Sequence, residues 1–486
     1  MYEIMKKFEF TGETKTINLL FGTATLHRIR AVAKFGFVEI GELGGWIEKE
    51  ENLSHEENAW VYGDAKVYGN AKVYGNAEVR DKAEVCGNAI VYGNAKVGEN
   101  AKVQDKAEVC GNAIVYGNAK VGEDAEVYDN AEVCGNVIVF GNAKVRGKAE
   151  VCGNAIVCDN AKVGENAEVY GKALIYGDAK VYGNAKVYGN AKVGEDAEVY
   201  DKAEVYDKAE VYGNAQIYGN AIVRANAKVY GKAEVCGKAG VCGKAEIRDD
   251  AKVYDKAIVC EDANVYGKAQ IYGDAKVWYD AKVYGNAEVC GKAEVRGKAE
   301  IRDDANVYGN ANVYGNANVY GNAKIYGNAK VYDNAKVWDD AKVYDNAEVC
   351  GNAKVWEDAK VYVNAKVYSN AEVYSNAKVY GNAKVYGNAE VCGKAEVCGK
   401  AEVFSTRHVL VIGTIGSQDD FATFYRDKDN EITVKCGYFL DKIDKFLEKV
   451  TETHGDSNYA LVCRAAVEAA RLQIDLSNEV TKDADE

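Results

Sequence analysis

The sequence of 486 residues contains no proline, and it has only two methionines and four histidines. A globular enzyme of this length ordinarily carries proline at about 5%, so its absence indicates one backbone conformation repeated many times. No apolar run approaches the roughly 18 residues that a membrane-spanning helix needs. The first ten residues lack the apolar core of a secretory signal. We therefore expect a cytoplasmic protein with no membrane partner.

What the sequence does contain is a six-residue repeat that runs from residue 59 to residue 404 without slipping. The units read Ala-x-Val-x-x-x, with Val137 once in place of Ala, and the aliphatic position occurs 58 times, 52 times as Val and six times as Ile. Two apolar residues that flank one polar residue are typical of a short strand with one buried face. The other three residues are rich in Gly, Asn and Asp, which tolerate the left-handed backbone of tight turns.

Units such as Val97-Gly-Glu-Asn-Ala-Lys102 resemble the hexapeptide repeats of left-handed parallel β-helices. In that family three hexapeptides form one triangular coil, and the resemblance implies the same left-handed coil here. About 19 coils, spaced like neighbouring strands at roughly 4.8 Å, predict a rod of about 90 Å. The expected fold is an all-β solenoid, a left-handed parallel β-helix of 18-residue coils whose ends need caps over their unpaired strand edges.

Two segments without the repeat flank the solenoid and predict three domains: residues 1–58, 59–404 and 405–486. The first segment carries short apolar runs at residues 17–21 and 29–32, which predict a small β-rich amino-terminal cap. The last segment predicts an α+β carboxy-terminal domain with an acidic tail. It contains predicted strands at 409–412 and 432–436, a predicted turn at 413–417, and predicted helices at 439–450 and 459–474.

Residues 41–49, 411–417 and 453–456, together with the repeats, resemble an uncharacterised group of bacterial and prophage proteins loosely labelled acetyltransferases. Acyltransferases built on this β-helix usually use a histidine base and loops that interrupt the coils. Here no loop interrupts the repeats, and His27, His55, His408 and His454 all lie outside them. We therefore predict no catalytic residue and no cofactor. An acyltransferase that is degenerate or depends on a partner is the alternative.

The charges and cysteines of the repeats argue against two further kinds of site. Lys and Arg nearly balance Asp and Glu in residues 59–404, 44 against 49, so no basic surface for nucleic acid is expected. Twelve of the 14 cysteines occupy the slot directly after the aliphatic residue. Cys134 and Cys152 are three repeats apart and stack within disulfide range, but we expect thiols in a reducing cytosol. The spacing typical of metal ligands is absent.

Thirty of the 35 tyrosines share that same slot, and reading it in every third repeat predicts aromatic columns along the corners of the solenoid. These columns either stabilise the coils by stacking or bind a ligand or partner. One candidate binding surface is the column Tyr320, Trp338, Trp356 and Tyr374. A second is an apolar stripe of Ile138, Ile156 and Leu174, which occupy a slot that is normally Lys or Glu.

The predicted function is a non-enzymatic rod-like scaffold or binding protein. It would contact a protein partner, or a second copy of itself, through its end domains or its aromatic columns. The resemblance to prophage proteins makes a phage accessory factor one form of this hypothesis. Within the repeats Thr is absent, so the regular hydroxyl array expected of an ice-binding face is not present.

Overall fold

The computed structural model describes residues 5–19 and 21–477 of the chain. The chain divides into two compact units, Met1–Lys244 and Ala245–Glu486. The first unit contains a β-rich amino-terminal segment followed by regular coils, and the second contains further regular coils followed by an α+β segment. Each unit is described by itself below. Whether residues 1–58, 59–404 and 405–486 are separate domains stays a prediction.

Every hexapeptide forms a two-residue strand from its polar mid-strand residue and the following aliphatic residue. In the first unit these strands run from Trp60–Val61 to Gly240–Val241, and in the second from Glu246–Ile247 to Glu402–Val403, one in each repeat. Each strand pairs in parallel with the strand three repeats later, as Glu204–Val205 does with Ile222–Val223. This spacing confirms the predicted parallel solenoid with three hexapeptides in each coil. The left-handed sense of the coil is still an expectation from the resemblance to hexapeptide-repeat proteins.

The interior of the coils is a narrow prism of alanine and valine. The Ala and aliphatic residues of the repeats are at most 1% exposed, and Val205 is completely buried. Neighbouring coils are joined by backbone hydrogen bonds, two for each short strand: Glu204 N donates to Ala221 O at 2.9 Å, and Tyr206 N donates to Val223 O at 3.0 Å. Each coil is therefore stabilised mainly by the coils directly above and below it.

Each corner of the coil contains one residue in the left-handed backbone region. Glycine occupies most of these positions, for example Gly213 with φ +68°. Where Asp replaces it, the side chain often accepts a hydrogen bond from the next coil, as when Asp129 Oδ2 accepts from Gly147 N at 3.2 Å. Val363 has φ +64° and no such side-chain acceptor, which is an unfavourable conformation for a β-branched residue.

The amino-terminal segment is a long antiparallel hairpin followed by a strand that joins the solenoid. Strand Phe8–Asn18 pairs with Thr23–Ala31, and Leu43–Ile47 pairs both with Thr23–Ala31 and, in parallel, with Lys66–Val67. A short 3₁₀ turn, Glu50–Asn52, follows. The predicted β-rich cap is confirmed. Residue 20 of the predicted apolar run at 17–21 lies outside the described residues.

Lys7 fastens this segment to the start of the coils. Its ammonium donates to the carbonyl oxygen of Ala59 at 2.8 Å and to those of Glu56 and Glu57 at 3.3 Å. Burial lowers the pKa of Lys7 to about 8. Because no coil precedes these carbonyl groups in the described chain, no backbone N–H from a coil can donate to them, and the buried ammonium group donates instead.

The carboxy-terminal segment is a four-stranded antiparallel sheet packed against two helices. The strands are Val409–Ile415, Asp420–Arg426, Ile432–Cys436 and Phe439–Lys442, and the helices are α1, Ile443–His454, and α2, Asn458–Gln473. A 3₁₀ turn, Thr406–His408, precedes the sheet. The predicted α+β character is confirmed, and the predicted turn at 413–417 lies slightly later, after Ile415.

One boundary predicted for this segment is wrong, because residues 439–442 form a strand before the helix begins at Ile443. The turn at Gly437, with φ +53°, returns the chain onto strand Ile432–Cys436, so Phe439 pairs with Cys436. Phe439 nevertheless contacts Phe446 of α1, with 5.2 Å between ring centroids. The spacing of apolar residues therefore continues across the change from strand to helix. For this reason the sequence pattern does not indicate where the strand ends and the helix begins.

Strand Asp420–Arg426 covers the last coil of the solenoid. Thr423 Oγ1 accepts from Glu396 N at 2.9 Å, and Tyr425 Oη lies 3.4 Å from Cys398 Sγ. Phe424, Tyr425 and Val434 are completely buried. Because the final coil has no successor, these contacts provide partners for part of its exposed edge.

Candidate binding surface

The predicted column of Tyr320, Trp338, Trp356 and Tyr374 is a continuous stack of rings in the second unit; we call these four residues the Trp ladder. The centroid distances between successive rings are 5.6, 4.9 and 4.4 Å, and the interplanar angles are 5°, 3° and 7°. All four side chains are half-buried. Each coil brings its corner residue over the corresponding residue of the preceding coil, so the strand spacing itself produces the stack.

The two ends of the Trp ladder carry polar groups. The Arg302 guanidinium lies over the Tyr320 ring, 4.4 Å from its centroid, and Tyr374 Oη donates to Glu390 at 3.3 Å. In the described residues the indole N–H groups of Trp46, Trp60 and Trp278 are buried. Neither Trp338 nor Trp356 has an indole N–H group that is both buried and unpartnered. The ladder is therefore a rigid aromatic surface with polar groups at its two ends.

A second column also stacks along a corner of the second unit. It continues without interruption through five tyrosines: Tyr308, Tyr326, Tyr344, Tyr362 and Tyr380. Burial raises the pKa of Tyr326 to about 12, so its phenol stays protonated at neutral pH. Its hydroxyl-bearing rings make it a natural control for the Trp ladder, because the two columns have the same stacking but different chemistry.

The apolar stripe of Ile138, Ile156 and Leu174 lies in the first unit. The three residues occupy successive strands in exact register, Ile138 opposite Ile156 and Ile156 opposite Leu174. Ile138 is exposed, with 36% of its surface accessible, and the other two are half-buried. Lys120 and Lys192 stand on the strands directly before and after the stripe. The stripe and the Trp ladder belong to different units, and each is considered separately.

The histidines all make structural contacts outside the coils. His55 Nε2 lies 2.7 Å from Glu50 Oε1, and its ring stacks on Phe8 with 4.2 Å between centroids. His27 packs on Phe10. His408 is buried, its Nδ1 accepts from Phe404 N at 3.3 Å, and burial lowers its pKa to about 4.

The corner cysteines are not all thiols, contrary to the sequence expectation. Cys134 and Cys152 are joined by a disulfide, with a Cα–Cα distance of 4.6 Å, where we predict thiols. Parallel stacking places the two residues within the range of a disulfide, whereas our expectation came from a reducing compartment. Over residues 5–19 and 21–477, no group of three or more His, Cys, Asp or Glu side chains is arranged to hold a metal ion.

The sequence analysis missed a column of lysines in the second unit. Lys324, Lys342, Lys360 and Lys378 occupy successive strands in register, and the last three line a cleft beneath the carboxy-terminal sheet. Reading the mid-strand slot in every third repeat, as for the tyrosines, reveals the column. The sequence does not reveal that the loops of another segment lie over it.

None of the helices in the described part of the chain is long and apolar enough to cross a membrane. Comparison with known protein families finds that residues 215–231 are similar to the YdcK beta solenoid repeat. The matched residues lie in the regular coils of the first unit. No curated protein matches the chain. The family similarity and the parallel pairing of strands three repeats apart together describe a β-solenoid repeat protein.

Proposed function

We propose that this chain is a non-enzymatic scaffold that binds a partner protein through the Trp ladder. The observation that carries the proposal is a continuous stack of four half-buried aromatic rings, two of them the tryptophans Trp338 and Trp356. Trp, Tyr and Arg are the residues that most often dominate binding energy at protein interfaces. The ladder contains the first two and ends at Arg302.

The rigidity of the ladder favours binding. Each ring is held between its neighbours, so little side-chain freedom remains to be lost when a partner covers the surface. The backbone beneath is fixed by hydrogen bonds at about the same distance in every coil, such as Trp338 N to Val355 O at 3.0 Å. A flat apolar surface with a few oriented donors suits a protein partner, and the near balance of charge in the repeats gives nucleic acid no comparable attraction.

The alternative of an acyltransferase has less support. A general base works best when its pKa lies near the working pH, whereas His408 is buried with a pKa of about 4. His55 is held between Glu50 and Phe8. We expect no saturable binding of acetyl coenzyme A by the purified chain in titration calorimetry. Micromolar saturable binding would favour the acyltransferase instead.

The partner is sought by affinity capture from a bacterial host lysate followed by mass spectrometry, which also tests the prophage hypothesis. The identified protein is then titrated against the wild type, a Trp338→Ser/Trp356→Ser variant and a Tyr326→Ser/Tyr344→Ser control. We expect the Trp variant to lose binding and the Tyr variant, with the same number of rings removed from the neighbouring column, to retain it. Equal affinity of all three proteins would refute a role for the Trp ladder.

The apolar stripe provides a separate hypothesis of self-association. Three aliphatic side chains in register form a small patch, and Lys120 and Lys192 bound it on the adjacent strands. An Ile156→Lys variant places a charge at the centre of this patch. If the stripe joins two copies, sedimentation should detect a dimer for the wild type and a monomer for the variant. A monomeric wild type would leave the stripe without this function.

A further inference from the structure

A cleft of about 450 Å³ lies in the second unit between one face of the coils and the carboxy-terminal sheet. Its floor is the lysine column, represented by Lys342, Lys360 and Lys378. Asp420, Phe421, Lys435 and Gly437 of the sheet form the opposite wall, and the corner residues Asp340, Asp358, Asn376 and Lys394 line one side. This volume is in the range of small-molecule sites and far below what a folded partner would occupy.

The lysine column lacks the opposite-charge pairing that is the commoner arrangement for mid-strand lysines. Elsewhere Lys usually stands opposite Glu on the next strand, as Lys384 Nζ does at 2.9 Å from Glu402 Oε1. From Lys324 to Lys378 four ammonium groups follow one another instead. Like charges directly opposite on neighbouring strands destabilise a sheet. Lys144, Lys162 and Lys180 of the first unit form a similar run, so the column points to a site only together with the cleft above it.

Among the residues that the structure describes, two of the three ammonium groups on the floor form no ion pair, although Asp340, Asp358, Glu396 and Asp420 also line the cleft. In the described part of the chain, Lys342, Lys360 and Lys394 form no ion pair with a carboxylate. The carboxylate of Glu396 is already shared by Lys378 at 2.7 Å and Lys435 at 3.5 Å. Burial opposes the ionisation of Glu396, but these two ammonium groups outweigh it and lower its pKa.

The wall of the cleft holds one of these cations in place. The Lys394 ammonium lies 4.7 Å from the centroid of the Phe421 ring. Phe421 in turn lies against Gly413, where a Cβ would collide with the ring. The missing side chain at Gly413 thus allows Phe421 to pack flat and to orient Lys394 at the edge of the cleft.

We propose that this cleft binds a phosphorylated small molecule, with its phosphate on Lys342 and Lys360, which stand opposite each other on neighbouring strands. Lysine is a common phosphate ligand that acts as a point charge, and a dianion matches two adjacent unpaired ammonium groups better than a single carboxylate does. Asp358 and Asn376 in the same cleft can accept hydrogen bonds from hydroxyl groups. The organic part of the ligand is therefore polyhydroxylated, as in a sugar phosphate.

The chain offers a matched pair of charge reversals for the test. Lys360 stands between Lys342 and Lys378, and Lys162 stands between Lys144 and Lys180 on the first unit, away from the cleft lining. Lys→Glu at either position restores alternating charge, so both variants should fold and should melt at or above the wild-type temperature. A loss of binding in Lys360→Glu alone is then not a consequence of unfolding.

The full chain and both variants are titrated with ribose 5-phosphate, inorganic phosphate and ribose in a calorimeter at low ionic strength. We expect ribose 5-phosphate to bind the wild type and Lys162→Glu alike. In Lys360→Glu its Kd should rise at least about tenfold, because an attraction becomes a repulsion. Ribose alone should not bind measurably.

Three outcomes would count against the proposal. Absence of binding by both phosphate probes would refute the site, and equal weakening in the Lys162→Glu variant would mean non-specific attraction to surface lysines. Equal affinity for inorganic phosphate and ribose 5-phosphate would refute the part assigned to Asp358 and Asn376, leaving free phosphate as the ligand. These results are independent of partner binding at the Trp ladder, so each proposal can fail alone.

Discussion

Replacing Val205 with Asp tests the inward register of the coils. Val205 is completely buried, on a strand paired with Lys186–Val187 on one side and Ile222–Val223 on the other. Losing the buried valine surface costs about 1.5–3 kcal/mol, and a buried acid without a hydrogen-bond partner adds about 1–3 kcal/mol. Burial raises the pKa of the new carboxyl group, so it enters the prism protonated. We expect the free energy of unfolding to fall by about 2.5–6 kcal/mol in total.

The loss should be local, because each coil contacts mainly its neighbours. Hydrogen exchange followed by mass spectrometry should find faster exchange in the coils around residue 205 and unchanged exchange in helices α1 and α2. Glu204→Gln is the matched control: Glu204 points outward and accepts a hydrogen bond from Tyr188 Oη at 3.2 Å, which an amide oxygen can also accept. The Glu204→Gln variant should lower the free energy of unfolding by less than about 0.5 kcal/mol. Similar losses in both variants would refute the inward assignment of Val205.

Three further predictions concern the corners, the carboxy-terminal segment and the repeat. Val363→Gly should stabilise the second unit by up to about 1 kcal/mol in urea unfolding. The left-handed backbone is more unfavourable for a β-branched residue than the extra loss of chain entropy on folding is for glycine. A destabilised variant would contradict this. His408 has a folded pKa of about 4, below its ordinary 6.5, so the unfolded chain binds the extra proton and stability should fall as pH drops from 6.5 toward 4. His408→Asn should flatten that dependence, and an unchanged pH profile would disprove the assignment. Deleting residues 179–196 removes one whole coil and should preserve the melting temperature. Deleting residues 179–181 instead puts corner residues into the core and should unfold the neighbouring coils. Equal tolerance of both deletions would refute the six-residue period.

The repeat by itself determines the coil, because its signal is local and occurs in every unit. Ala and Val alternate with one polar residue, so only one register buries both. Reading the same slot in every third repeat also predicts which side chains stack, and the rings of Trp338 and Trp356 lie as that reading requires. Because successive coils superimpose, the residue types in one slot decide which side chains stack along a corner.

The tertiary structure alone decides what happens where the period ends. Nothing in the sequence pattern indicates that residues 439–442 pair with Ile432–Cys436 before α1 begins, since Phe439 reaches the same core from a strand as it would from a helix. Likewise the lysine column is visible in the sequence, but its enclosure by Asp420, Phe421 and Gly437 depends on contacts between distant segments. In the coils, strand spacing fixes which residues lie directly above and below each residue. The position of the carboxy-terminal sheet depends instead on side-chain packing, and no repeat in the sequence indicates its contacts.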